Sequence, residues 1–194
     1  MNKKDFLELI KKKVMVGDGA MGTMLYQKGV FINSCFDEVN LTRPDLVAEV
    51  HLGYIEAGAD YIETNTYGAN SHKLAGFGLA DKVEEINRAG VRIARKAVEG
   101  TDVLVAGSVG PLGSSVSPLG RLSIEEAMDS FRQQIKTLAE AGVDFLMMET
   151  FADPRQLKLA IQAAGEVCAL PVVAQITVNQ YCETSFGHPA QEAL

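Results

Sequence analysis

Two eleven-residue stretches of this 194-residue chain are near copies of one another. Residues 56–66 read EAGADYIETNT and residues 140–150 read EAGVDFLMMET, 84 positions apart. Each copy carries the end of a helix, a glycine, an aspartate, an aromatic residue, an apolar pair and a closing threonine. A stretch that recurs along a chain is one supersecondary unit used again, and its period limits the folds open to the chain. The interval here holds two strand–helix units. Near copies two units apart fit alternate strands of a closed parallel barrel, in which alternate strands fill the same interior layers. A doubly wound open sheet is the competing arrangement.

The rest of the chain follows the same rhythm. Short, partly β-branched apolar runs recur at Val14–Val16, Tyr61–Ile62, Val103–Ala106, Phe145–Met148 and Val172–Ile176. Runs of this length, bounded by Gly, Asp or Pro, suit strands buried on both faces. Helical patterns lie between them. The first helix is expected near the N-terminus, with Phe6, Leu7 and Ile10 on one face. Others are expected over 42–58, where Thr42 precedes Pro44, and over 82–98. A fourth runs over 123–141, where Ser123 and Glu126 form a capping-box pattern. A fifth begins at Asp153-Pro154. On the fourth helix Ile124, Met128, Phe131, Ile135 and Leu138 recur at helical spacing. The predicted class is therefore α/β, a (β/α)8 TIM barrel. A whole barrel takes about 250 residues, so residues 1–194 are expected to hold about the first five of eight units, with the later strands missing.

Composition narrows the function. The net charge is −7, and no basic cluster exists beyond Lys11–Lys13, which argues against nucleic acid and anionic membrane as partners. No apolar run approaches the roughly 20 residues of a membrane span. The N-terminus lacks the apolar core of a signal peptide, and a cytoplasmic location is expected. The three cysteines, Cys35, Cys168 and Cys182, form no C-x-x-C pair, and no His, Cys and carboxylate spacing resembles a zinc site.

In a barrel the chemistry sits at the C-terminal ends of strands. Read in order, those ends offer Asp18, Asn65, Ser108, Glu149 and then Gln175 or Thr177. The repeat makes Asn65 and Glu149 equivalent positions. Asp18 stands in VMVGDGAMGT, between Gly17 and Gly19 and near Gly22; it is either a turn or cap residue or a ligand for substrate beside exposed backbone N–H groups. Glu149 follows FLMM, where a carboxylate without a partner is costly to bury. It either bonds a neighbouring loop or binds a cationic group. Asn65 either organises its loop or faces the site. The Gly-rich segment AGSVGPLGSSVSPLG reads as a loop lining the mouth. His51 is expected in a helix, and His72 and His188 in loops. A two-carboxylate glycosidase is disfavoured, since the chain has no Trp to stack on a sugar.

The motifs taken together resemble the homocysteine S-methyltransferase family over nearly the whole chain. DGAMGT (Asp18–Thr23) follows the first strand, and CFDEVNLTRPDLV leads into a Pro-initiated helix. TNTYGAN (Thr64–Asn70), GPLG (Gly110–Gly113) and ETFAD (Glu149–Asp153) follow later strands. The match is to bacterial members of two kinds. One opens cobalamin-dependent methionine synthase, and the other is joined to methylenetetrahydrofolate reductase. The resemblance implies a barrel binding homocysteine at its mouth. Asp18 and Glu149 would receive the ammonium, and backbone N–H groups around Gly19, Ala20 and Met21 the carboxylate, with Asn65 nearby.

The resemblance also implies a zinc ion on three cysteines, one after strand six and a pair after strand eight. All three places lie beyond Leu194, and Cys35, Cys168 and Cys182 match none of them. No catalytic or metal-binding residue is expected within this chain. Cobalamin or folate would act through further domains, and the methyl donor is left open. The parent protein is expected to be a methyltransferase of methionine synthesis, and the chain alone inactive. The alternative is an amino-acid-binding half-barrel without turnover.

Overall fold

The computed structural model describes residues 1–193. Helix α1 (Lys3–Lys12) opens the chain, followed by α2 (Met21–Gln27), α3 (Val39–Thr42) and α4 (Pro44–Glu56). Strands and helices then alternate: β1 (Tyr61–Glu63), α5 (Ser71–Ala75), α6 (Val83–Ala97), β2 (Leu104–Val109), α7 (Ile124–Ala141), β3 (Phe145–Phe151), α8 (Pro154–Val167), β4 (Val172–Ile176) and α9 (Ala190–Ala193). The four strands pair in chain order, all parallel. A doubly wound sheet reverses its strand order at a switch point. This one does not, so of the two arrangements open to the sequence it is the barrel type.

The repeat is explained by this order. Its copies are β1 and β3 with their entry turns, and β2 lies between them. Asp60 and Asp144 do the same work in both. The Asp60 carboxylate accepts the N–H of Val16 at 2.9 Å, and that of Asp144 accepts the N–H of Val105 at 2.8 Å. Each aspartate thus ties the start of its own strand to the segment before it. Tyr61 and Phe145 face inward, with ring centroids 5.4 Å apart. Phe6 of α1 closes on Phe145 at 4.8 Å, so α1 covers the inner face at its N-terminal end. Ile62, Val105 and Leu146 face the other way and join Val91, Phe131, Ile135 and Leu138 in the core between sheet and helices. Alternation along each strand makes both faces apolar, as a parallel sheet requires.

The helix signals hold in detail. Ser123 caps α7 by accepting the N–H of Glu126, whose carboxylate accepts the N–H of Ser123 in return. Asp153 caps α8 ahead of Pro154. At α4 the structure corrects the sequence reading: Arg43 is the N-cap, and the Thr42 hydroxyl instead donates to the Glu38 carbonyl at 3.2 Å within α3. Ile124, at the first turn of α7, is 57% exposed, while the other four residues of its expected apolar face are buried. His72 lies in α5 rather than in a loop.

The first expected strand also differs. Val14–Val16 forms no strand, and Val14 is 88% exposed. Its ladder pairing with β1 is limited to one bridge, Gly17 to Tyr61, with Asp60 N–H donating to the Val16 carbonyl and Asp18 N–H to the Tyr61 carbonyl. The segment occupies the place of a first strand but leaves for α2 after two residues of pairing, too few for a ladder.

Candidate functional site

A cavity of about 750 Å³ opens beside the C-terminal ends of β1, β2 and β3. The six residues that the resemblance assigned to substrate line it, Asp18, Gly19, Ala20, Met21, Asn65 and Glu149, as does Ser108, whereas Gln175 and Thr177, also offered as strand ends, are not among its lining residues. The six are not alike in what they do there.

Asp18 is placed by β1. Its N–H donates to the Tyr61 carbonyl at 3.1 Å, and its carboxylate accepts the N–H of Glu63 at 3.0 Å. The glycines around it have a packing reason first. A Cβ on Gly17 would sit 2.5 Å from the Tyr61 ring, and one on Gly19 would sit 2.8 Å from the Tyr54 hydroxyl. These two glycines let the Asp18 turn lie flat against two tyrosines. Gly22 meets no such constraint: a Cβ there would find its nearest neighbour at 3.9 Å.

Glu149 is aimed by a bulge. Between the pairs Met148–Ala174 and Phe151–Ile176, β3 carries one residue more than β4. Thr150 absorbs it in a left-handed conformation, with φ 59°. A bulge bends the strand and re-aims a side chain, and here Glu149 is the residue beside it that lines the cavity. The Ser108 hydroxyl at the end of β2 donates to Glu149 Oε1 at 2.5 Å.

Asn65 lines the cavity but spends its amide on the loops. Its NH2 donates to the Phe36 carbonyl at 2.8 Å and to Asn40 Oδ1 at 3.1 Å. Asn40 answers by donating to the Asn65 carbonyl at 2.7 Å. The two buried amides lock the loop after β1 to the loop before α3. Of the two roles open to Asn65, the geometry gives it the loop-organising one.

Sequence reasoning missed Glu63. It lies on β1 two residues after Tyr61, so its side chain points to the same inner face. Its carboxyl is within hydrogen-bonding reach of Glu149. The signal lay in the repeat, where Met147 takes the position of Glu63 and a carboxyl replaces a core methionine. Asp37, Tyr67 and Lys73 were missed as well. Asp37 accepts the N–H of Gly68 at 2.9 Å, and the Lys73 ammonium stands 4.0 Å from the centre of the Tyr67 ring, a cation–π contact. The Gly-rich loop, expected along the mouth, contributes Ser108 to the cavity wall. Gly110 and Gly113 instead lie behind Tyr67 and Lys73.

The acids share the lining with apolar side chains, Met21, Ile32, Phe36, Leu74 and Phe77. Burial pushes the acids up. Asp18 rises to about 7, mostly through desolvation, with the N–H of Glu63 opposing and Glu149 adding to the rise. Glu63 rises to about 9, through desolvation and then the adjoining Glu149 and Asp18. Asp37 rises to about 6, again by burial, against its bond from Gly68 and the nearby Lys73. Burial lowers Lys73, with Asp37 and Glu149 opposing. An acidic pocket short of cations is suited to a ligand that brings its own positive charge.

Among the described residues no three His, Cys, Asp or Glu side chains are placed to hold a metal ion. Cys35 is buried in the cavity wall, Cys168 is partly buried and Cys182 is exposed. They form no thiolate set, so the zinc site implied by the resemblance does not fit these residues. His51 is fully buried, and no described group bonds either of its nitrogens. Among the described residues no helix is long and apolar enough to cross a membrane.

Comparison with known proteins agrees with this geometry. The methionine synthases of Mycobacterium tuberculosis and Mycobacterium leprae are each 33% identical to this chain, over 90% of its length and 16% of theirs. The chain thus spans about a sixth of the curated relatives it matches. The metallated form of the homocysteine methyltransferase MmuM from Escherichia coli aligns with a TM-score of 0.82 at 28% identity, covering 96% of this chain and 71% of that one. Residues 15–194 match the family model described as homocysteine S-methyltransferase, and the chain belongs to that family.

Proposed function

We propose that this chain binds homocysteine for S-methylation to methionine. In this reading residues 1–194 are the N-terminal part of a homocysteine-binding barrel domain and carry the half of the site that grips the amino acid. One observation carries it: the carboxyls of Asp18, Glu63 and Glu149 lie close enough to act on one another in a cavity that apolar side chains also line. A free amino acid with an apolar, sulfur-bearing side chain has the matching pattern.

The α-ammonium sits between Asp18 and Glu149, where charge-assisted hydrogen bonds form in a partly desolvated setting. Its carboxylate meets the backbone N–H groups of Gly19, Ala20 and Met21. Asn65 holds the adjoining loop in place. The side chain runs along Met21 and Phe36 toward the sulfur's reaction partner. Zinc, implied by the family, finds no donor set among the described residues, so the work assigned to this chain is binding and orienting. The methyl donor, with cobalamin or folate where either serves, belongs to residues and domains outside it.

Asp18→Asn and Glu149→Gln test the assignment by calorimetric titration with homocysteine. A hydrogen bond to a charged group contributes about 1.5–3 kcal/mol, so each variant is expected to bind about ten- to a hundredfold more weakly. Unchanged affinity in both sinks the assignment.

A further inference from the structure

Glu63 and Glu149 both line the cavity, and their carboxyls lie within hydrogen-bonding reach of one another. Two carboxylates are both acceptors, so a hydrogen bond between them requires that one keep its proton. Their surroundings decide which one. Glu149 already accepts the Ser108 hydroxyl at 2.5 Å and stands near the Lys73 ammonium, so its oxygens are placed as acceptors. Glu63 has neither. It faces Asp18 from the turn before α2 and Glu149 from β3, with the Tyr61 hydroxyl on its own strand, and its backbone N–H is spent on Asp18.

We infer that Glu63 is a positioning residue that works as a neutral acid: its carboxyl O–H donates to the Glu149 carboxylate and keeps its proton when the amino acid binds. This rests on the proposed amino-acid site and adds a division of labour to it. One ligand ammonium cannot balance three carboxylates packed together. Asp18 and Glu149 as anions already exceed its charge by one. Ionising Glu63 as well would add a buried charge with no partner left to receive it. The upward shift of Glu63, larger than that of Asp18, agrees. Glu63 thus fixes the angle of Glu149 from one side while Ser108 fixes it from the other, and the N–H of Glu63 holds Asp18. One residue sets both walls of the ammonium pocket.

The test is calorimetric titration with L-methionine, whose sulfur carries no proton, in buffers of different ionisation enthalpy near pH 7. This counts protons released by the protein on binding. For the unaltered protein the count is expected to be the fraction Asp18 gives up. Glu63→Gln should release the same number and bind within a few-fold of wild type, because the amide N–H replaces the carboxyl O–H. Glu63→Ala, which leaves Glu149 without that donor, should bind at least tenfold more weakly.

A count lower by nearly one proton in Glu63→Gln would mean that Glu63 ionises on binding and overturns the inference. So would a tenfold loss of affinity in that variant. The Gln variant decides the matter even if the Ala variant fails to fold. Failure of the unaltered protein to bind L-methionine or homocysteine is a different result, and removes the amino-acid site itself together with the inference.

Discussion

The backbone N–H of Glu63 donates to the carboxylate of Asp18 at 3.0 Å. This bond joins a turn ahead of α2 to the end of β1, 45 residues later, and it holds a carboxyl that burial pushes up to about 7. Much of the behaviour of the site follows from those opposing effects.

Asp18 should make the ligand-free protein less stable as pH rises. Its carboxyl binds protons more tightly folded than unfolded, where an aspartate titrates near about 4. Its contribution is fully present below that value and is lost as pH climbs toward 7. Thermal melting from pH 4 to 8 for wild type and Asp18→Asn reads it, together with the change in its coupled neighbour Glu63, since groups far from the site cancel in the difference. The variant should gain on wild type across this window by an amount of order a few kcal/mol. A pH-independent difference would contradict the assigned burial.

Gly17→Ala should disturb both the site and the inner face. The added Cβ falls 2.5 Å from the Tyr61 ring, which packs edge-on against Phe145. Tyr61 would have to move, or the Asp18 turn would have to lift from β1. Overpacking of this kind costs about 1–3 kcal/mol. Urea unfolding should show a lower midpoint with an unchanged slope, and homocysteine binding should weaken. Wild-type stability in this variant would mean that the turn packs less tightly against Tyr61 than described.

His51→Leu should stabilise the protein. Burial lowers His51 to about 4, and neither of its nitrogens has a described partner. Folding with the imidazole neutral costs stability as pH falls from about 6.5, the usual histidine value, through 4. Leucine fills a similar volume without unmet polar atoms, at a fully buried position on α4. A gain of about 1–3 kcal/mol at pH 7 is expected from removing the unpaired polar group. The gain should grow on acidification, which pH-dependent urea midpoints will reveal. Equal midpoints at pH 7 and pH 5 would argue that His51 is reached by water or a partner.

The sequence by itself determined the alternation of strands and helices, the caps of α7 and α8, the repeat and the motifs that mark the family. These depend on local spacing and backbone chemistry. Ser123 and Glu126 cap a helix wherever it lies. Asp18, Asn65 and Glu149 could be placed on the cavity wall from the sequence, since a barrel sends strand ends to one mouth, while Gly19, Ala20 and Met21 came from the family resemblance.

The tertiary structure decided the rest. The bulge at Thr150, which sits beside Glu149, depends on the register of β3 against β4, and no single strand contains that information. That Asn65 spends its amide on the neighbouring loop depends on Asn40, 25 residues earlier. The role of Glu63 follows from its meeting Asp18 and Glu149, 45 and 86 residues away, in a pocket dry enough to hold a proton on an acid. Charges interact through space and solvent exposure, and both exist only once the chain has folded.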